Sequence, residues 1–311
     1  MTLYFGYGSN LDAADWGAWC ARRGFGAARL EPVSTALLLD HELVFDCFSR
    51  TRQGGVLNLR ARPGQAAEGV VFRANAAALA ALDAKEGAPF AYQRTQRHVV
   101  LPDGTVVEAM TYVTRSEGFR APHPDYLGIV RRGQAAHGIA HAMLDAAGQD
   151  APAPLTIAYL FVYGTLMAGE ANAHHLDGLP REAGRVAGAL HDCGPYPALA
   201  LGEGEVSGEV LELPLARLAA MDALEGSPPG GAPGGLYRRT VLPVRVADGM
   251  VRAYAYVMDE AARHPRIPEG DWRAKATRHA DWAAYATRTP RPSADAPPYC
   301  FGTPASRRMA E

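Results

Sequence analysis

The stretch Gly69-Val-Val-Phe-Arg-Ala-Asn-Ala-Ala-Ala-Leu-Ala-Ala-Leu-Asp-Ala-Lys-Glu-Gly87 lies over Gly208-Glu-Val-Leu-Glu-Leu-Pro-Leu-Ala-Arg-Leu-Ala-Ala-Met-Asp-Ala-Leu-Glu-Gly226 without a gap. The offset is a constant 139 residues and pairs Asp83 with Asp222 and Glu86 with Glu225. Each stretch reads as the end of a strand (66–72 and 205–213) followed by a short helix (76–85 and 215–224). Each helix stops at a Glu-Gly step, glycine being the natural helix terminator. The match resumes after a Gly/Pro-rich insertion, 227–235, in the second stretch. Tyr92, Arg94 and Thr95 then align with Tyr237, Arg239 and Thr240, 145 residues apart. Asp103-Gly104 matches Asp248-Gly249, and Tyr112-Val113 matches Tyr256-Val257. Upstream, Leu3-Tyr-Phe-Gly-Tyr-Gly-Ser-Asn-Leu11 and Leu160-Phe-Val-Tyr-Gly-Thr-Leu166 are both apolar, aromatic-rich runs ending in Tyr-Gly-Ser/Thr. An ordered set of matches of this length is the signature of two copies of one fold.

The remaining elements follow from period and breakers. Residues 97–101, 105–113, 240–246 and 250–257 read as strands, paired into hairpins around Pro102-Asp-Gly104 and Asp248-Gly249. Each copy is therefore α+β and mostly antiparallel, and the lack of a βαβ rhythm argues against a Rossmann-type domain. Gly148-Gln-Asp-Ala-Pro-Ala-Pro154 reads as a linker. The first copy is assigned to 1–150, the second to 155–262, and a tail to 263–311. Within the tail, 269–287 is helix-compatible and carries Trp272, Trp282 and Tyr285; from Pro290 it is rich in Pro and Ala.

Composition narrows the function. The 311 residues suit two domains at about 150 residues each. At 48% hydrophobic and 21% charged the chain is globular rather than disordered. A formal charge of −2 removes the electrostatic case for a dedicated nucleic-acid or membrane-surface protein. The four cysteines (20, 47, 193 and 300) make no Cys-x-x-Cys spacing, so neither a zinc site nor a disulfide framework is expected. Met1-Thr-Leu-Tyr-Phe-Gly6 has no charged region leading into an apolar run, and no run of eighteen apolar residues occurs, so the expected location is cytoplasmic. Lys85 and Lys275 are the only lysines; the dominance of arginine, with abundant Ala and Gly, fits a GC-rich bacterial genome.

Two features carry chemistry. A glycine in a tight turn after a buried strand, as in Tyr7-Gly8-Ser9-Asn10-Leu11, lets successive backbone N–H groups face outward as a nest for a carboxylate or a developing oxyanion. Taken alone, such a turn is more simply a strand end; its recurrence as Tyr163-Gly164-Thr165-Leu166 weakens that view. Glu86 and Glu225 each follow a helix in an apolar context, where desolvation raises a carboxyl into the range useful for proton transfer. An exposed helix-end glutamate is the commoner case. Negative charge at a helix C-terminus is unfavourable, however, and a locally unfavourable residue present in both copies points to function.

These residues resemble the γ-glutamylcyclotransferase superfamily: Tyr-Gly-Ser/Thr-x-Leu, then Asp-x-x-Glu-Gly, then Tyr-x-Arg. The first copy is similar to its γ-glutamylcyclotransferase branch. The second, with Phe-Val-Tyr-Gly-Thr-Leu-Met and Leu-Tyr-Arg-Arg-Thr, is similar to the γ-glutamylamine cyclotransferase branch. The resemblance covers about 1–145 and 157–260 and implies two tandem small, mostly antiparallel β-barrels with short flanking helices, followed by a helical tail. It also implies a reaction in which the substrate's α-amine attacks its own γ-carbonyl, releasing 5-oxo-L-proline and an amine without metal or cofactor. By motif position the proton-transfer residues are Glu86 and Glu225. The γ-glutamyl group would be held by Tyr4, Phe5, Gly6, Tyr7, Gly8, Ser9 and Asn10 in the first copy and by Tyr163, Gly164, Thr165 and Leu166 in the second. Tyr126, in Pro124-Asp-Tyr-Leu-Gly-Ile-Val-Arg-Arg-Gly-Gln-Ala-Ala-His-Gly138, maps onto a substrate-contacting position with no match in the second copy.

Other readings stand beside this one. The pairs His137/His141 and His174/His175 each lack a third ligand at a recognisable spacing and read as surface or structural histidines. One or both copies are alternatively non-catalytic binding or structural domains, or hydrolyse a related amide, since fold does not license function. The partner expected is a small γ-glutamyl molecule, with no nucleic acid and no membrane; the setting is a deprotection step in a bacterial biosynthetic pathway or general γ-glutamyl turnover. A two-fold contact between the copies would make the chain an internal pseudo-dimer.

Overall fold

The computed structural model describes residues 2–273. The first copy is built from β1 (Thr2–Gly6), α1 (Ala13–Arg22), β2 (Leu30–Ser49), β3 (Gly54–Ala74), α2 (Ala76–Glu86), β4 (Gln93–Val100), β5 (Val106–Val113), α3 (Pro124–Ala136) and α4 (Ala142–Gly148). The second comprises β6 (Tyr159–Val162), β7 (Glu182–Asp192), β8 (Pro197–Glu212), α5 (Leu215–Leu224), β9 (Arg238–Val246), β10 (Gly249–Val257) and β11 (Arg266–Ile267).

Both copies close into five-stranded barrels of the same topology. The first runs β1-β3-β2-β4-β5 and closes through a parallel contact of Tyr4 with Met110. In the second the order is β6-β8-β7-β9-β10, closed by the parallel pair β6–β10, with Arg185 opposite Arg245 joining β7 to β9. That last pairing corresponds to Leu37 opposite Val100 between β2 and β4. The expected α+β, mostly antiparallel barrels are thus present, with short helices on their flanks. The second barrel draws on residues beyond 262, because β11 pairs with β7 and Trp272 is buried in its core. The helix expected over 269–287 lies outside the described residues from 274 onward; its first five residues are in turns or irregular backbone.

Aligned glycines explain how β1 and β6 are seated. A Cβ on Gly69 would collide with the carbonyl of Gly6 and the ring of Phe5, and one on Gly208 with the carbonyl of Val162 and the ring of Phe161. The strand that leads into each Tyr-Gly turn is laid directly against its neighbour's backbone. Tyr7 and Tyr163 then anchor the turns, donating to the carbonyls of Tyr112 and Tyr256, both at 2.6 Å.

The two barrels share an apolar boundary. Leu37, Leu39, Ala66 and Val100 of the first belong to the same buried cluster as the core of the second. Thr240 donates to the carbonyl of Gly104 at 2.6 Å, Tyr254 to that of Gly64 at 3.2 Å, and Arg252 pairs with Glu68 at 2.6 Å. The linker is pinned by Gln65, whose Nε2 donates to Pro154 O while its Oε1 accepts from Thr156 N. No helix among the described residues is long and apolar enough to cross a membrane.

Candidate active site

In the first barrel, the chain leaves β1 through Tyr7-Gly8 into a 3-10 turn, Ser9–Leu11. That turn's hydrogen bonds run from Leu11 N to Gly8 O and from Asp12 N to Ser9 O, so they do not use the amides of Ser9 and Asn10. The side chain of Asn10 links the turn to the end of α2: its Nδ2 donates to Glu86 Oε1 at 2.8 Å and to the Tyr4 hydroxyl at 3.0 Å. Asn10 Oδ1 is buried with no hydrogen-bond partner among the described residues, leaving an acceptor for an N–H of a bound molecule. Helix α3 closes over the turn. Its Gly133 packs so tightly that a Cβ would stand 2.7 Å from Asp12 N and from Leu11 Cβ, and Arg132 pairs with Asp12 at 3.0 Å. From α3 the hydroxyl of buried Tyr126 accepts from Leu57 N at 3.4 Å and hydrogen-bonds the side chain of Ser9.

Glu86 is the last residue of α2, which Asn75 caps at its start by accepting from Ala78 N, and which Gly87 ends at φ +64°. Burial pushes the Glu86 carboxyl above its ordinary pKa, while Lys85, the Asn10 amide and Arg52 pull it back. Lys85 and Arg52 converge on Asp15, at 3.2 and 2.9 Å, and Lys85 lies 5.6 Å from the centre of the Trp16 ring.

The second barrel repeats the scaffold but not its polar dressing. Glu225 caps the C-terminus of α5 and is half-buried, like Glu86. The position of Asn10 is Leu166 and that of Lys85 is Leu224, so neither the amide nor the ammonium is there. Burial alone acts on Glu225 and raises its pKa to about 7. Its charge is felt by the hydroxyls of Tyr163, Tyr237 and Tyr256. In place of α3, Pro197 covers the turn: a Cβ on Gly164 would stand 2.6 Å from its ring. Tyr237 holds that segment by donating to Pro197 O at 2.6 Å, as Tyr92 does to Leu57 O at 2.8 Å.

Of the residues expected to act, Glu86, Asn10, Tyr4, Ser9, Gly8 and Tyr126 come together in the first barrel. Phe5 is fully buried in the barrel core, and Gly6 ends the strand, so their part is to carry the turn. In the second barrel Glu225 and Tyr163 are brought together beside Gly164, Thr165 and Leu166. Asp15, Arg52 and Pro197 escaped the sequence reading, since nothing in spacing ties them to a glutamate far along the chain. Tyr92 and Tyr237 did carry a signal, being aligned between the copies. His141 is bonded to Gln134 at 3.0 Å and His137 sits edge-on to Phe72. The 227–235 insertion docks on the first barrel, where it lines a cavity of about 680 Å³ between the two. That cavity is bordered by α5 but contains neither glutamate in its lining.

Comparison with known proteins agrees on one family. The family model described as "Gamma-glutamyl cyclotransferase, AIG2-like" matches residues 4–129 and again 160–274. A Vibrio cholerae protein described as "Putative gamma-glutamylcyclotransferase" is 35% identical over 117 residues, spanning 36% of this chain and 93% of that protein. A solved structure titled "Gamma-glutamyl cyclotransferase" is 26% identical, covering 44% of this chain and 80% of its own at a TM-score of 0.40. YkqA from Bacillus subtilis, at 14% identity and a TM-score of 0.33, covers 83% of both chains.

Proposed function

Since the chain belongs to the gamma-glutamyl cyclotransferase, AIG2-like family, with two tandem copies of its domain, its activity is of the cyclotransferase kind, and we propose that it cleaves γ-glutamyl amides to 5-oxo-L-proline and a free amine. The observation that carries this reading is the pair of aligned glutamates, each with a raised pKa beside a Tyr-Gly turn, which in the first barrel leaves the amides of Ser9 and Asn10 out of its own hydrogen bonds.

Ring closure is intramolecular, so the protein must fold the substrate and move protons. The carboxylate of Glu86 takes a proton from the substrate's α-ammonium, freeing the amine to attack the γ-carbonyl. The C–N bond of the five-membered lactam forms, and negative charge grows on the carbonyl oxygen facing the turn's amides. Glu86 then returns the proton to the departing nitrogen as the original amide bond breaks, and the second proton shed by the ring nitrogen passes to the released amine, which leaves as an ammonium. A carboxyl with a raised pKa suits both halves of this shuttle. Asn10 orients Glu86 through its hydrogen bond, and Tyr126 with Ser9 borders the glutamyl group. Glu225 plays the same part in the second barrel, with Tyr163, Gly164, Thr165 and Leu166 around it. No step calls for a metal or cofactor. A deprotection step in bacterial biosynthesis and turnover of γ-glutamyl dipeptides in the cytoplasm are the settings such a reaction fits.

The lack of an Asn10 counterpart and, among the described residues, of a covering helix favours a second reading for the second barrel, as a binding domain without turnover. One experiment separates the two. A panel of γ-glutamyl amines and dipeptides is incubated with the protein, and 5-oxoproline is measured for Glu86→Gln, Glu225→Gln and the double variant. Each single change is expected to lower kcat about 10²- to 10⁴-fold on the substrates of its own site. Full activity of the double variant sinks the proposal; activity lost wholly with Glu86→Gln makes the second barrel a binding domain.

A further inference from the structure

The two barrels treat one aligned trio differently. In the first, Arg94 forks onto Asp83, with Nε at 2.7 Å and Nη2 at 2.5 Å, and Tyr112 donates to the same carboxylate at 2.7 Å. The ion pair is open to solvent, Arg94 and Asp83 retaining 44% and 36% of their side-chain surface, while Tyr112 is buried. In the second, Tyr256 likewise donates to Asp222 at 2.8 Å, but the arginine is completely buried and its fork is broken. Arg239 Nη2 reaches away to Asp40 Oδ2 at 2.5 Å, leaving Nε 3.3 Å from Asp222 Oδ1 and Nη1 without a hydrogen-bond partner among the described residues. Tyr254 stacks on the guanidinium, 4.9 Å from its centre.

Asp40 belongs to the first barrel. It sits in a bulge of β2 between Leu39 and His41, at φ +58°, a conformation that Asp tolerates better than most side chains. Its two oxygens accept from Gly64 N at 2.8 Å and, inside the 227–235 insertion, from Gly230 N at 2.7 Å. In sequence Glu225 lies between two segments that Asp40 acts on, one through Arg239 and one directly at Gly230. On one side is Asp222, one turn earlier on α5. On the other is the insertion, where Ser227 Oγ accepts from Arg239 N at 2.9 Å and Ser227 N donates to Asp222 O at 2.8 Å.

The latch runs one way. By strand register the second barrel's counterpart of Asp40 is Gly188, in the equivalent bulge between Ala187 and Ala189, and it has no side chain to reach out.

We infer that Asp40 of the first barrel is a positioning residue for the second barrel's site: by drawing Arg239 off Asp222 and pinning Gly230, it sets where the last turn of α5 presents Glu225. This rests on the reading of Glu225 as the proton-transfer residue there. Without Asp40, the buried guanidinium has, among the described residues, only Asp222 to balance it and closes into the fork seen in the first barrel, dragging the end of α5 with it. Displacements on the order of 1 Å at a reacting group cost about 10²-fold in rate.

The test is made in the full chain carrying Glu86→Gln, so that any 5-oxoproline comes from the second site. Adding Asp40→Asn, which keeps size and tolerance of positive φ, is expected to lower kcat at least 10-fold while KM stays within twofold. Arg239→Lys, which retains charge but cannot span two carboxylates, should do the same. Glu68→Gln, which breaks another ion pair between the barrels, should change neither, and Asp40→Asn in a Glu225→Gln chain should leave the first site's turnover unaltered. An unchanged kcat in the Asp40→Asn chain, or an equal loss from Glu68→Gln, overturns the inference. If the Glu86→Gln chain makes no 5-oxoproline, that failure belongs to the functional reading, and crystal structures of the parent and Asp40→Asn chains decide. Arg239 forked on Asp222 with Glu225 displaced supports the inference; an unmoved Arg239 and Glu225 refutes it.

Discussion

Glu225 is the residue whose surroundings say most about its state. Its carboxyl is raised to about 7 by burial, with no cation beside it among the described residues. A carboxyl whose folded-state pKa is raised binds its proton more tightly in the fold than in the unfolded chain. Its contribution to stability is therefore present below the ordinary glutamate value near about 4.3 and is lost as pH rises through about 7. Glu225→Gln should leave stability unchanged at pH 4 and raise it at pH 8.5, by at most about 4 kcal/mol. Urea midpoints at the two pH values measure this, and a difference that does not grow with pH would place the carboxylate in water. Glu86, restrained by Lys85, Asn10 and Arg52, should show the same trend more weakly. At this scale the repeat made both glutamates legible, because a residue kept against helix-dipole preference stands out when it occurs twice; Asn10, replaced by Leu166 in the second copy, was legible only as part of the turn motif. The Asp15, Arg52 and Lys85 cluster did not stand out. Its members meet only through the fold, and in the second copy Leu224 replaces the lysine.

At the scale of elements, the tightest constraint is the approach of β3 to β1 and of β8 to β6. Gly69→Ala or Gly208→Ala must push the strand that carries the Tyr-Gly turn, at a cost of about 1–3 kcal/mol, and should lower turnover in the affected barrel only. Gly17→Ala, in the exposed middle of α1 with open space around it, should instead stabilise by up to about 1 kcal/mol. Chemical denaturation of the three variants makes the comparison, and equal effects would refute it. The elements read from sequence were those with clean signals: α2 and α5 with their Gly stops, and the hairpins at Asp103-Gly104 and Asp248-Gly249. The long strands β2 and β7 were not read. In β2 the side-chain alternation is reset by bulges at Pro32/Ser34, Leu39/His41 and Phe45/Cys47, and in β7 by one at Ala187/Ala189. Each bulge shifts the inward face by one residue, so no single period of two spans the strand.

For the whole molecule, sequence pointed to two copies, and the structure adds that they are not independent. Leu37, Leu39, Ala66 and Val100 lie in the core that also contains the second barrel's interior, so neither barrel can open without exposing apolar surface of the other. One cooperative unfolding transition is expected over both, with calorimetric and van't Hoff enthalpies in agreement. Two resolved transitions, or a stable isolated second barrel, would contradict this. None of the boundary was legible beforehand, because side chains such as Asp40 and Thr240 acquire partners only when one barrel is set against the other.

The unlike bulges at Asp40 and Gly188 bear on how such a chain could be extended. A contact between different faces of related domains is heterologous, so each new copy could in principle be added by the same contact, in a ring or a string. With glycine at 188 the second barrel offers no carboxylate hook to a third, and the arginine it would have to capture, Arg94 in the first barrel, is already neutralised by its own Asp83. The carboxylate hook thus serves a single junction, from the first barrel to the second.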